Sequence, residues 1–344
     1  MNKRVLVTGG AGFIAHNLIH RILTTTDWDV ITVDRLDYSG NLNRLHDILS
    51  ELTSEQTKRL RVVFHDLKAE LNPQIQADIG PVNYILHLAA GSHVDRSIDY
   101  PMEFVMDNVV GTANILEFAR TQENLDRFVY FSTDEVFGPA PGNVKYKERD
   151  RYNSTNPYSA TKAGAEELCV AYENTYGLPV YVTHTMNVFG ERQHPEKYIP
   201  MVIRKARDGE VVTVHSDTSK TIAGSRHYIH TDDVSDAIMF LLDQSDKGLV
   251  IGHDSMGAKC PKFNIVGKEE IDNLELARMI AGAVGNDLNY EMVDFHSARP
   301  GHDLRYALDG AFMKSLGWEP AVSLRGRIEQ VVTWTLANER WMKV

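Results

Sequence analysis

The chain has 344 residues, 43% hydrophobic and 24% charged, enough apolar material for a sizeable core in one large or two modest domains. Its 36 basic against 47 acidic residues give a formal charge of −11, which argues against nucleic acid or an anionic membrane as the principal partner. No apolar run approaches the ~20 residues of a membrane span and no signal-peptide pattern opens the chain, so the cytoplasm is the expected location. Cys169 and Cys260, the only cysteines, offer neither a disulfide framework nor metal-site spacing.

Val5-Leu6-Val7 is an apolar strand that runs into Thr8-Gly9-Gly10-Ala11-Gly12-Phe13-Ile14-Ala15, after which helical spacing begins. Glycines at 9 and 12 let the backbone turn tightly and approach a pyrophosphate, which the amides of the following helix N-terminus would hold. Ala15 stands where a third glycine is commonest and still permits close packing. A second strand, from Asp29 to Val33, ends at Asp34, placed to accept both ribose hydroxyls of an adenosine. Together these features predict a dinucleotide site. Asp34 favours NAD, while Arg35 beside it is the one feature that would accommodate the 2′-phosphate of NADP.

Residues 38 to 60 carry a helical pattern in Leu42, Leu45, Ile48, Leu49 and Leu52. Val62-Val63-Phe64 reads as a third strand leading to Asp66-Leu67, where the acid either meets the adenine amino group or caps an exposed turn. Tyr84 to Leu88 is a fourth strand, followed by Ala89-Ala90-Gly91, small enough to lie against a flat cofactor. From Asn108 to Arg120 the pattern predicts a helix apolar around much of its girth.

Phe128-Val129-Tyr130-Phe131 is a short buried strand, and Ser132-Thr133-Asp134-Glu135-Val136-Phe137-Gly138 follows at its carboxyl end, where open α/β sheets bind ligands. Neighbours on a regular strand face opposite ways, so Asp134 and Glu135 share a pocket only if the chain leaves strand geometry there. Otherwise they are a solvated acidic turn. Asn156-Pro157 has the chemistry of a cap and first-turn proline for a helix from Tyr158 to about Tyr176, stopped by Gly177. Tyr158 and Lys162 fall on one face of it, and a nearby ammonium is expected to lower the phenol's pKa toward that of a base.

Val180 to Thr183 supplies another strand, with Asn187-Val188-Phe189-Gly190 at its end. The strand–helix alternation then stops. The expected architecture is a Rossmann-like α/β, doubly wound parallel sheet in residues 1–190, carrying the catalytic groups. Residues 191–344 are read as a mainly substrate-binding smaller lobe, with about 228–242 returning to the large domain. Leu276 to Val284 and Leu324 to Leu336 look amphipathic.

These residues resemble the extended short-chain dehydrogenases/reductases that act on nucleotide sugars, and within them the dTDP-glucose 4,6-dehydratases. The resemblance covers nearly the whole chain. It runs through Thr8 to Ile14, Asp34 with Leu36 to Leu42, His87 to Ala90, Ser92 to Ser97, Ser132 to Gly138, Pro157 to Lys162, His194 to Lys197 and Arg299 to Asp303. The adjacent Asp-Glu after Thr is its most specific part. Similar epimerases lack the pair, and similar decarboxylases generally keep only the Glu.

The resemblance implies that Tyr158 takes the proton of the sugar 4-hydroxyl as hydride leaves carbon 4 for NAD. Thr133 would hold that oxygen, and Lys162 would assist Tyr158 and bind the nicotinamide ribose. Glu135 would then remove the carbon 5 hydrogen, Asp134 would protonate the departing 6-hydroxyl, and hydride would return to carbon 6. The product is a nucleotide-linked 4-keto-6-deoxysugar and water. By position, Gly9, Gly12, Phe13, Ile14, Asp34, Arg35, Asp66, Leu67, Ala89, Ala90, Tyr158 and Lys162 would contact NAD. Ser92, Thr133, Asn187, Lys197, Arg226 and Arg299 would contact the sugar nucleotide, and a homodimer would form through the helices near 108–120 and 158–176.

Three departures bear on substrate choice: Gly91 where Glu is usual, Val188 where a second Asn is common, and a divergent segment from His215 to His230. They leave UDP-glucose or an N-acetylhexosamine nucleotide open beside dTDP-glucose. A 4-epimerase, a decarboxylase or a non-catalytic NAD-binding protein are the alternatives.

Overall fold

The computed structural model describes residues 2–37, 39–244, 260–294 and 304–343. Strands β1 (Arg4–Thr8), β2 (Asp29–Asp34), β3 (Leu60–Phe64), β4 (Tyr84–His87), β5 (Arg127–Thr133) and β6 (Val180–Thr185) form one parallel sheet. Later in the chain come β7 (Asn187–Phe189), β8 (Val212–Ser216), β9 (Ser225–His230), β10 (Lys262–Ile265), β11 (Glu270–Asp272) and β12 (Tyr290–Asp294). The sheet order is 3-2-1-4-5-6-10, a Rossmann-like doubly wound arrangement in seven strands. The order reverses between β1 and β4, and the crevice outside the strand ends at such a switch point is where these sheets bind ligands.

Continuous apolar strands are what a sheet covered on both faces requires. Val5 and Val7 of β1 point into one core with Leu18, Ile19, Ile22 and Leu23 of the helix Phe13–Thr25. Leu6, between them, points into the other with Ile115, Leu116 and Phe118 of the helix Gly111–Arg120 and Ala165 and Cys169 of the helix Pro157–Tyr176. A third core gathers Phe189, Val202, Ile203, Val212, Val214, Leu276, Ile280, Ile328 and Val331. Around it lie a three-stranded sheet (β11-β9-β7) and a two-stranded one (β12-β8).

The helix Thr231–Asp243 packs against the helix Phe13–Thr25 through Ala237, Ile238 and Leu241. Strand β10 joins the edge of the central sheet beside β6, an insertion that the sequence pattern does not announce. The stretch read as one helix near 108–120 is the helix Gly111–Arg120 entered through a π-turn at Val105–Val110, and a turn of α-helix at Pro101–Phe104 precedes both. Ile115, Leu116 and Phe118 are spent in the core, so its apolar girth does not by itself require a partner. The exposed apolar side chains nearby are Ile98, Tyr100, Met102 and Met106. Among the described residues, no helix is long and apolar enough to cross a membrane.

Candidate active site

Strand β5 ends at Thr133, and Asp134–Phe137 turns at once into a 3₁₀ helix. The Thr133 hydroxyl donates to Asp134 Oδ1 at 3.0 Å and accepts from the Glu135 amide at 3.3 Å. Val136 and Phe137 are fully buried and anchor the turn. Gly138 closes it at φ +75°, where an added Cβ would lie 2.2 Å from the Asn153 carbonyl oxygen. This departure from strand geometry brings Asp134 and Glu135 to the same cleft.

Asp134 is buried, and its carboxyl is pushed up to about 7, first by burial and then by the charge of Glu135. Its Oδ2 has no hydrogen-bond partner among the described residues. A buried acid that keeps its proton near neutral pH, with an unsatisfied oxygen in a cleft, is chemically a proton donor awaiting a ligand. Glu135 accepts from Asn156 Nδ2 at 3.2 Å. The other end of that amide, Oδ1, accepts from the Ser159 amide and caps the helix Pro157–Tyr176. The acid turn and that helix are thus joined through one side chain.

Tyr158 and Lys162 line the same cleft, but not as the helix spacing alone suggests. The phenol is held above its ordinary range by burial and then by Glu135, with the Thr133 hydrogen bond opposing. Lys162 is not among the groups that lower it. The ammonium instead donates to the Phe131 carbonyl of β5 and lies 4.3 Å from the centre of the Tyr130 ring, and burial pulls it down to about 8. Sharing a helix face brings Cβ atoms together, but the long lysine stem reaches the sheet beneath.

Toward the switch point the cleft is lined by Gly9, Gly12, Phe13, Ile14, Asp34, Arg35, Asp66, Leu67, Ala89 and Ala90. Gly9, at φ +74°, has the Ala89 backbone so close that a Cβ would come within 2.9 Å of its Cα. The helix Phe13–Thr25 begins with no side-chain cap, leaving its first amides to an anion. The Asp34 carboxylate is oriented by the amides of Ala11 (2.9 Å) and Leu36 (2.8 Å). Arg35 is engaged by acids: its guanidinium grips Asp107 through both terminal nitrogens and gives Nε to Asp37 at 2.6 Å. The chemistry of the set fits a dinucleotide with a free ribose 2′-hydroxyl.

Ser92, Thr133, Asn187 and Lys197 also line the cleft. Arg226 does not; it donates to the carbonyls of Ser225 and Leu304 and lies 4.6 Å from the Tyr306 ring centre, though Asp134 feels its charge. Arg299 and the motif 299–303 lie outside the described residues. Gly91 is fixed by Asn108, whose amide pairs with both its N–H (2.7 Å) and its C=O (3.1 Å). A Cβ there would stand 3.1 Å from the Phe104 ring and 3.3 Å from the Asp107 carboxylate, so a larger residue would need those side chains to shift, and an acid would face the Asp107 charge. The divergent segment ends β8, turns tightly around Asp217 and enters β9, and within it only Tyr228 lines the cleft.

Sequence reasoning missed Arg44 and Asn108. Arg44 is buried at the cleft edge, donating to the carbonyls of Ala11, Ser39 and Arg192. A polar residue in an amphipathic helix carries no local signal of such long-range acceptors.

A parallel sheet with a glycine turn and ribose acid at its switch point, and hydroxyl, phenol and lysine beyond it, defines the dinucleotide-binding class of Rossmann proteins. The NAD dependent epimerase/dehydratase family matches residues 5–253, and the chain belongs to it; its cofactor is NAD. The low-salt glycan biosynthesis protein Agl12 of Haloferax volcanii is 39% identical over 97% of this chain and 99% of its own length. A dTDP-glucose 4,6-dehydratase of Salmonella typhimurium is 33% identical over 98% of this chain and 94% of its own. The crystal structure of DesIV, a dTDP-glucose 4,6-dehydratase from Streptomyces venezuelae with NAD and TYD bound, superposes with a TM-score of 0.83 at 33% identity, covering 99% of both chains.

Proposed function

We propose that this chain is a nucleotide-sugar 4,6-dehydratase that converts an NDP-hexose, dTDP-glucose first among the candidates, to the NDP-4-keto-6-deoxyhexose and water. The observation that carries the reading is the acid pair: two adjacent carboxyls in one cleft, with Asp134 raised to about 7. Mutual repulsion and unequal burial separate their proton affinities, as one base and one acid require. Relatives named as dehydratases support it.

NAD, held by Gly9, Gly12, Asp34 and the helix that follows, supplies the hydride acceptor and donor. Burial and Glu135 hold the Tyr158 phenol up, and the positive nicotinamide ring of bound NAD would draw it down, so that Tyr158 takes the proton from the sugar 4-hydroxyl with the Thr133 hydroxyl orienting that oxygen. Lys162 holds the nicotinamide ribose. The resulting ketone acidifies carbon 5; Glu135 removes its hydrogen while Asp134 gives its proton to the departing 6-hydroxyl, and as hydride is restored at carbon 6 Glu135 returns a proton to carbon 5, leaving the 4-keto-6-deoxysugar. Ser92, Asn187 and Lys197 hold the sugar nucleotide from the cleft lining, Arg299 joins them, and Arg226 contributes the charge that Asp134 feels. Two copies pair through the exposed apolar patch of Ile98, Tyr100, Met102 and Met106 beside the helix Pro157–Tyr176.

The test is purified protein with a panel of nucleotide hexoses, read by product mass. Loss of one water supports dehydration; an unchanged mass identifies an epimerase and loss of carbon dioxide a decarboxylase. Turnover of UDP-glucose in preference to dTDP-glucose would revise the base.

A further inference from the structure

Behind the helix that carries Tyr158 and Lys162 lies a buried charged cluster outside the cleft. Glu166, one turn beyond Lys162, is fully buried. Its carboxylate meets Lys262 Nζ at 2.7 Å, His184 Nε2 at 3.2 Å and the hydroxyl of Tyr152. The partners come from separate parts of the fold: Lys262 opens the edge strand β10, His184 precedes the cleft residue Thr185 on β6, and Tyr152 lies in the segment before the helix. His184 Nδ1 is 3.1 Å from Asn264 Oδ1, and the Asn264 amide donates to the carbonyls of Tyr146 and Asp309. Phe137, the last residue of the acid turn, packs its ring on His184 and Tyr152 with centres 4.8 and 5.1 Å apart. Burial opposes the charge on Glu166, yet His184 and Lys262 hold its carboxyl well below the usual range.

Burying such a group costs several kcal/mol before its partners repay it, so its placement one turn from Lys162 calls for a reason. The titratable groups facing Lys162 are His87 from β4, Tyr130 from β5, and Tyr158, Cys169 and Glu166 from its own helix, the Tyr158 phenol being kept protonated by burial. Burial keeps His87 unprotonated, with Lys162 adding to the effect, and keeps the Tyr130 phenol and the Cys169 thiol protonated. Glu166 is the anion among them. We propose that Glu166 is a positioning residue: its carboxylate ties the helix bearing Tyr158 and Lys162 to the turn bearing Asp134 and Glu135, and supplies the negative charge that keeps Lys162 protonated. The inference rests on Tyr158 and Lys162 being the reacting groups, and is independent of which product leaves.

Lys162 already sits near 8 with Glu166 in place, so losing that anion should carry it through neutrality. The experiment follows the Lys162 side chain by NMR in NAD-loaded protein with isotope-labelled lysines, assigned with Lys162→Met. No substrate is needed, so the result stands apart from the identity of the product. Glu166→Gln is expected to lower the Lys162 midpoint by about one pH unit or more. Lys262→Met disturbs the same packing but keeps the anion, so the midpoint stays or rises. If the single Gln variant does not fold, the double variant Glu166→Gln with Lys262→Met leaves no unpaired buried charge, and its Lys162 midpoint should lie below that of Lys262→Met alone. An unchanged midpoint in the folded Gln variant, or a double variant that titrates at the same pH as Lys262→Met, would overturn the proposal. So would an equal downward shift in Lys262→Met, which would mark general loosening.

Discussion

Replacing Asp134 by Asn removes a proton donor while altering little else. The amide oxygen can still accept from Thr133, and the side chain keeps its volume in a buried site. With the carboxyl near 7, about half the molecules carry the proton at pH 7 and roughly a tenth at pH 8. If that proton goes to the departing hydroxyl, the rate of water loss falls about tenfold per unit on the alkaline side, and Asp134→Asn abolishes that dependence. Loss of a general acid typically costs ~10²–10⁴-fold, or about 3–5 kcal/mol of barrier. The assay is a single turnover with dTDP-glucose in deuterated buffer, reading product mass and exchange at carbon 5. Asp134→Asn should exchange the hydrogen and lose water slowly. Glu135→Gln should halt exchange while the early rise in NADH absorbance persists, and Tyr158→Phe should abolish even that rise. If both acid variants form product at nearly the parent rate, Asp134 and Glu135 are a structural turn and the dehydratase reading fails.

Arg35 is already held by Asp107 and Asp37, so protein stripped of cofactor should bind NAD at least about tenfold more tightly than NADP, equal titration curves refuting this. Gly138→Ala forces a side chain into left-handed backbone and onto the Asn153 carbonyl, so stability should fall by at least about 1–2 kcal/mol, and an unaltered melting temperature would contradict it. Met102→Asp should shift a sedimenting dimer toward monomer without unfolding the protein, since Met102 is 67% exposed. A parent protein already monomeric at micromolar concentration would remove the dimer.

Much of this molecule is legible in one dimension because its signals are local. An apolar run, a glycine turn and an acid after the next strand specify a dinucleotide-binding unit, since a strand buried on both faces and a backbone approaching phosphate leave few other residue choices. The cap at Asn156, the proline after it and Gly177 likewise mark the ends of the helix carrying Tyr158 and Lys162. Tertiary structure decided what those residues do to one another. Helical spacing put Lys162 beside Tyr158, whereas the fold sends its ammonium to the Phe131 carbonyl and sets the phenol under Glu135 instead. Whether Asp134 is an acid or a solvated charge depends on its burial and on the charge of Glu135 sharing its cleft, which only the folded chain sets. Strand β10, the Asn108 clamp on Gly91 and the Glu166 cluster have no sequence signature, because their partners are distant in the chain and adjacent only in the fold. Proton affinity follows from desolvation and neighbouring charge, and both are properties of the packed chain.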